Sequence, residues 1–298
     1  MRGFVPALLA AAALAAGEAA AVEFGIDEEA FYPEGPTVVN GALYWAEMPA
    51  HRIRRYENGN TITMWSRPGC GPTSIKPDGR GGFWILCHLA HRVLRVNARF
   101  EEVREFANDG AGHDLVYPND ATTDEQGQIY LTSSGVFDLR APATGAVFFI
   151  DLHDHVTRLV SGLRYANGVH LDRKRSRLFI GEHLARRVHV AQVLQPGKIG
   201  PLKLFFDLNA SPALRHHEYP LAGPDGMLLR PDGRLLVAEY GAGRVLVLSP
   251  AGSLLKTIPV PMQFVTNFAD YGEHGVVVVG AFENDALPMR GRVISLPE

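Results

Sequence analysis

A unit of roughly 40–50 residues recurs six times along this 298-residue chain, and no other feature restricts its fold as strongly. The fullest copy occupies residues 223–250. An apolar strand at 227–229 runs into the turn Pro231-Asp232-Gly233-Arg234, a second strand returns at 235–238, and a third follows Tyr240-Gly241-Ala242-Gly243 at 244–248. Turn residues stand wherever the backbone must reverse, which is the pattern of an antiparallel meander. Equivalent inner hairpins lie at 34–47, 70–87, 119–133, 167–182, 225–239 and 267–281, and third strands at 51–56, 91–96, 145–150, 186–191, 243–248 and 291–296. The steps between opening residues are 36, 49, 48, 58 and 42, the spacing of propeller repeats. The repeat predicts an all-β fold, a six-bladed β-propeller of four-stranded antiparallel blades, with one domain over residues 22–298. Residues 22–32 precede the first inner strand and are expected to add an outer strand to the last blade, whose own sequence ends without one.

Residues 1–21 read as a signal peptide: Arg2, a Leu/Ala-rich run through Ala16, then the small residues Ala19-Ala20-Ala21. The run is too short for a membrane span, and no later stretch approaches the roughly 20 apolar residues that one requires. A periplasmic or secreted location is expected. Removal of this segment takes away one arginine and one glutamate, so the formal charge stays at −3. That balance favours neither nucleic acid nor an anionic membrane and leaves a small molecule as the expected partner.

In a propeller blade the start of the innermost strand shares a face with the end of the second strand and with the loops between the second and third. The opening residues Glu34, Cys70, Asn119, Asn167, Asp225 and Asn267 should therefore face the central channel. Two carboxylates converging there would repel one another, and a divalent cation cancels their charge. Taken singly, each Asn or Asp is accounted for as a strand-opening residue in a turn-like conformation. Two carboxylates and two amides in register point instead to a metal site on this ring. Hard oxygen donors select Ca²⁺, Mg²⁺ or Mn²⁺ over Zn²⁺, which stays a remote alternative.

At these positions the sequence resembles the SMP-30, gluconolactonase and luciferin-regenerating enzyme family. The motifs are Glu34-Gly35-Pro36 followed by LYW at 43–45, Pro118-Asn119-Asp120, Ala166-Asn167-Gly168 and Pro224-Asp225-Gly226, in order around nearly the whole chain. The resemblance implies a calcium-type lactonase. It implies metal ligation by Glu34, Asn167 and Asp225, metal or substrate contact by Asn119, and a catalytic role for Asp225. Where several sugar-lactonase members have an arginine two residues before the asparagine, Tyr117 stands here, which sets a polyhydroxy-acid lactone in doubt as substrate. In such a site the metal would act as a Lewis acid on the lactone carbonyl. Asp225 is then a general base, a nucleophile or a ligand only; the sequence leaves the three open.

Loops at 108–118, 134–144 and 207–223 share the metal's face, and they supply the substrate-contact candidates His113, Tyr117, Phe137, Arg140, His216, His217 and Tyr219. Glu47, Glu182 and Glu239 recur at the ends of second strands, so a structural hydrogen-bonding role is expected for them. The first function class is a metal-dependent hydrolase of a lactone or related ester, with a phosphotriesterase-like activity as a variant on the same metal. The second is a non-catalytic propeller that binds a protein or glycan. The two cysteines, Cys70 and Cys87, face each other across the second hairpin to within one residue of register about Gly79. A disulfide is expected, with a thiolate metal contact or two inert thiols as the competing readings.

Overall fold

The computed structural model describes residues 26–215 and 218–296. Residues 1–21, read above as a signal peptide, lie outside this range, as do His216 and His217. Six antiparallel sheets follow one another along the chain, with innermost strands Pro33–Val39, Pro72–Pro77, Pro118–Thr123, Ala166–Asp172, Gly223–Leu229 and Phe264–Asp270. The first five sheets run in sequence order from the axis outward, the fourth with a short additional strand, Lys198–Ile199, beside Arg187–Gln195, and the sixth takes its outer strand from the start of the chain. This is a six-bladed β-propeller. Ring closure uses the expected latch: Asp27–Phe31 pairs antiparallel with Arg290–Ser295 as the outer strand of the last blade, in register from Asp27↔Ile294 to Phe31↔Arg290. Near the channel the same seam is joined by Thr266 Oγ1, which donates to the Pro33 carbonyl at 2.6 Å.

Blades pack face to face, so their second strands are covered on both sides and read as continuous apolar runs, such as Phe83–Cys87 and Val276–Ala281. The core is consequently a ring of inter-blade layers. Tyr44, Ile53 and Trp65 of the first blade pack with Ile75, Ile85 and Leu94 of the second, and Leu43 and Trp45 close the circle on Val277, Val279 and Val293 of the sixth. Each fully buried large side chain of this kind contributes about 1.5–3 kcal/mol. Among the described residues no helix is long and apolar enough to cross a membrane.

Cys70 and Cys87 are joined in a disulfide with a Cα–Cα distance of 4.5 Å. The glutamates at the ends of second strands hold arginines and backbone. Glu47 accepts from Arg52 Nε at 2.6 Å, Glu239 from Arg244 Nε at 2.6 Å, and Glu182 from the Arg164 amide at 2.9 Å.

Candidate metal and active site

Every innermost strand is bulged at the channel end. Pairing with the second strand slips between Glu34 and Thr37, Pro72 and Ser74, Pro118 and Ala121, Ala166 and Val169, Pro224 and Met227, and Val265 and Asn267. A bulge leaves residues without a ladder partner and re-aims their side chains. Here it turns one side chain per blade onto the channel axis: Glu34, Thr73, Asn119, Asn167, Asp225 and Thr266. Two members of the expected ring are thereby corrected. Cys70 precedes the strand Pro72–Pro77 and is bonded to Cys87, and Asn267 stands one residue further in. Hairpin symmetry read from sequence cannot see the extra residue that a bulge inserts. The four expected ligands do come together at the mouth, all buried, with Asn167 and Asp225 each only 3% exposed.

The next residue of each blade forms a second ring: Gly35, Ser74, Asp120, Gly168, Gly226 and Asn267. Its glycines are required by close approach. A Cβ on Gly168 would lie 2.1 Å from the Asp225 carbonyl oxygen, and one on Gly226 would lie 2.2 Å from Asn267 Cγ. The cleared space admits Asp120, a third buried carboxylate that sequence reasoning left without a role. Asp120 accepts from the amides of Ala121 at 2.8 Å and Val169 at 3.2 Å and from Ser74 Oγ at 3.5 Å. Deeper still lies Lys76, whose Nζ donates to the carbonyls of Pro36 at 2.9 Å and Gly35 at 3.4 Å. His170 accepts the Leu229 amide on Nε2 at 3.3 Å, which requires a neutral ring, and burial holds its pKa down at about 4.

Three carboxylates thus face one ammonium. Burial first, then Asp225 and Asp120, push the Glu34 carboxyl well above the usual range; burial and then Asp120 do the same to Asp225. Burial lowers Lys76, opposed by Asp120 and Glu34. Two positive charges are wanting at the mouth, and one side-chain oxygen there, Asn167 Oδ1, is buried with no hydrogen-bond partner. His183 explains the direction of that oxygen. Its Nε2 lies 2.8 Å from the Leu221 carbonyl, its Nδ1 3.1 Å from that of Pro224, and burial lowers its pKa to about 4. A neutral ring has one proton for these two carbonyls, and the shorter contact takes it. Nδ1 is then free to accept from Asn167 Nδ2 at 3.4 Å, and the same amide side chain also hydrogen-bonds Asp225, which leaves Oδ1 as the unpartnered atom.

Among the described residues no three of His, Cys, Asp and Glu converge as a metal cluster. The donor set is instead two carboxylates with two amide oxygens, hard, under-neutralised and incompletely hydrogen-bonded, which suits a divalent cation with oxygen preference.

Around the mouth stand aromatic side chains from two repeat positions. Tyr32, Tyr117 and Tyr165 each precede a ring residue by two and adopt left-handed backbone, with φ of 44°, 56° and 61°. Just beyond the second strands, His88 packs on Tyr117 (centroids 5.0 Å apart) and His183 on Tyr165 (5.8 Å), while Tyr240 at the end of its strand packs on Phe264 (5.0 Å). Phe137, from the loop at 134–144, reaches across to Tyr165 (4.7 Å), His183 (5.3 Å) and Tyr240 (6.4 Å). Tyr32 and Tyr165 feel both Asp225 and Glu34, and burial raises their hydroxyl pKa values.

Of the substrate-contact candidates, Tyr117 and Phe137 belong to this collar, as does Tyr219, which packs on Tyr240 at 5.9 Å. His113 is bound to Asp109 within its own loop at 2.6 Å, and the Arg140 side chain is 93% exposed beside Asp138. His217 lies outside the described residues. Sequence reasoning missed Asp120, Lys76, His183 and the paired aromatics. The recurrence of Tyr two residues before Glu34, Asn119 and Asn167 was the signal for part of the collar.

Comparison with known proteins gives the family and the fold. "Lactonase drp35" of Staphylococcus saprophyticus is 31% identical over 236 residues; the match spans 75% of this chain and 65% of that relative's length. "Diisopropyl-fluorophosphatase" of Loligo vulgaris is 23% identical over 282 residues, covering 85% of this chain and 87% of the relative. Among solved structures, the calcium-binding protein regucalcin from Agrobacterium tumefaciens superposes with a TM-score of 0.71 at 15% identity, covering 90% of each chain, a likeness of fold. The family description that matches residues 32–275 is the SMP-30/gluconolactonase/LRE-like region, and the chain belongs to that family.

Proposed function

We propose that this chain hydrolyses a lactone or related ester with the help of one divalent cation held by Glu34, Asn119, Asn167 and Asp225, calcium before magnesium, manganese or zinc. The observation that carries the reading is the buried, under-neutralised mouth ring, with Asn167 Oδ1 unpartnered. A relative bearing the name lactonase at 31% identity supports the reaction class. A dication so held supplies a Lewis acid for the acyl oxygen.

The protein's own contribution is charge and orientation. Glu34 and Asp225 bring negative charge that burial makes costly to leave uncompensated. His183 fixes the Asn167 amide, and the second ring of glycines lets the strands close to this radius. Hydrolysis adds water to the acyl carbon and breaks the ring C–O bond, and the departing oxygen takes a proton to give a hydroxy acid. Asp225, buried at the axis, is the group placed to hold or move that proton. A non-catalytic binding propeller has no need to bury opposed carboxylates at its mouth. Export is part of the proposal: it rests on residues 1–21, and the Cys70–Cys87 disulfide fits an oxidising compartment.

The test is elemental analysis of the purified protein, followed by a panel of lactones, aryl esters and a phosphotriester with and without chelator. One divalent ion per chain and chelator-sensitive lactone hydrolysis are expected. Metal-free protein that hydrolyses lactones at an undiminished rate overturns the metal assignment, and preference for the phosphotriester overturns the substrate assignment.

A further inference from the structure

The walls above the ring bear on what enters. Tyr32, Tyr117 and Tyr165 occupy equivalent sites in three blades, each in a left-handed conformation that is unfavourable for a bulky residue. The same site in the second blade is Gly71, at φ 53°, the residue type that adopts this backbone without strain. Three strained tyrosines where glycine would serve indicate a use for the rings themselves.

Their polar ends are largely engaged. The hydroxyls of Tyr32 and Tyr240 lie 2.7 Å apart, and Asn284 Nδ2 donates to the hydroxyls of Tyr219 at 3.0 Å and Tyr240 at 2.9 Å. The collar therefore offers ring faces rather than free donors. Outside it the apolar surface continues on the same loops: Val136 and Leu139 flank Phe137 at about half exposure, and Leu287 is 74% exposed in the loop that carries Asn284.

We propose that the substrate is a lactone bearing an apolar alkyl or aryl substituent, which the aromatic collar grips and the exposed Val136, Leu139 and Leu287 continue outward, and that polyhydroxylated sugar lactones are rejected. The inference rests on the lactone-hydrolase reading above. Each sugar hydroxyl taken into this collar loses water and finds hydrogen-bonding groups already satisfied by one another, a penalty that falls on every such hydroxyl. An apolar substituent loses nothing on entry and covers ring area. Phe137 reaches three collar rings from a loop of its own, Tyr165, His183 and Tyr240, so its loss should be felt without removing a strand residue.

The experiment compares kcat/KM for 5-phenyl-δ-valerolactone and D-glucono-δ-lactone with calcium-loaded protein. In parallel, calorimetry measures binding of the two corresponding lactams, which are not hydrolysed. A preference of about 100-fold or more for the phenyl lactone is expected, and Phe137→Ala should cut that ratio by about 10-fold, the scale on which apolar contacts discriminate substrates. Unfolding temperature and metal content check that the variant is folded. Equal or better use of the sugar lactone, or a ratio unmoved by Phe137→Ala, overturns the inference. If neither lactone is turned over, the lactams still decide. Binding of the phenyl lactam alone upholds the collar's role while sinking the hydrolase reading, and binding of neither, or of the sugar lactam alone, refutes the collar.

Discussion

Replacing Gly168 by alanine tests the layered channel directly. Gly168 is not among the residues with positive φ, so alanine fits its backbone and only packing is perturbed. The added Cβ would stand 2.1 Å from the Asp225 carbonyl oxygen, 2.9 Å from its carbonyl carbon and 3.0 Å from Gly226 Cα. All three are main-chain atoms of the neighbouring blade, with no rotamer to swing aside. Restoring ordinary contact means moving that backbone by about 1 Å, in a core that deforms little. Overpacking of this kind costs about 1–3 kcal/mol, or about 2–5 °C of unfolding temperature for a domain of this size. The displaced segment carries Asp225, and metal sites tolerate only about 0.2 Å in ligand position, so calcium affinity should fall by at least about 10-fold. Gly200→Ala is the control, because its nearest atoms lie 3.7 and 3.9 Å away. Thermal unfolding and calcium calorimetry on both variants give the answer. If Gly168→Ala melts like Gly200→Ala and binds calcium within two-fold of the parent, the blades are not held against each other at this ring.

Two more expectations concern the buried charges. Lys76→Met removes the one ammonium facing Glu34 and Asp120, so the chelated protein should lose stability and the rise in unfolding temperature on adding calcium should grow; a smaller rise than in the parent would show that Lys76 does not offset those carboxylates. His170 has a pKa of about 4 in the folded chain against an ordinary 6.5, so the unfolded chain binds the extra proton between these values. Its contribution is complete above pH 6.5 and is lost as pH falls to 4, by up to about 3 kcal/mol. His170→Gln, which keeps an acceptor for the Leu229 amide, should flatten that part of the urea-unfolding profile against pH, and an unchanged acid limb would refute the assignment.

The sixfold repeat was legible because its signals are local. Strand alternation, Gly and Asp at turns and a fixed spacing recur whatever surrounds them, and they carried the blade count, the closing strand Asp27–Phe31 and four of the six residues at the channel mouth. The Cys70–Cys87 pairing was also within reach, since it spans one hairpin. What the sequence did not determine belongs to contacts between blades. A bulge of one residue decided that Thr266 rather than Asn267 stands at the mouth and sent Asp120 to the axis, while Cys70 falls three residues short of Thr73, before its strand begins. Lys76 lies among channel carboxylates only because six chain segments far apart in sequence meet there. The expected contacts Arg140 and His113 are turned to solvent or held in their own loop, while His183, Tyr165 and Tyr240 gather from separate blades. Residue type predicts which chemistry is possible, but where a side chain ends depends on the backbone that packs beside it, and in a propeller that backbone is always another blade's.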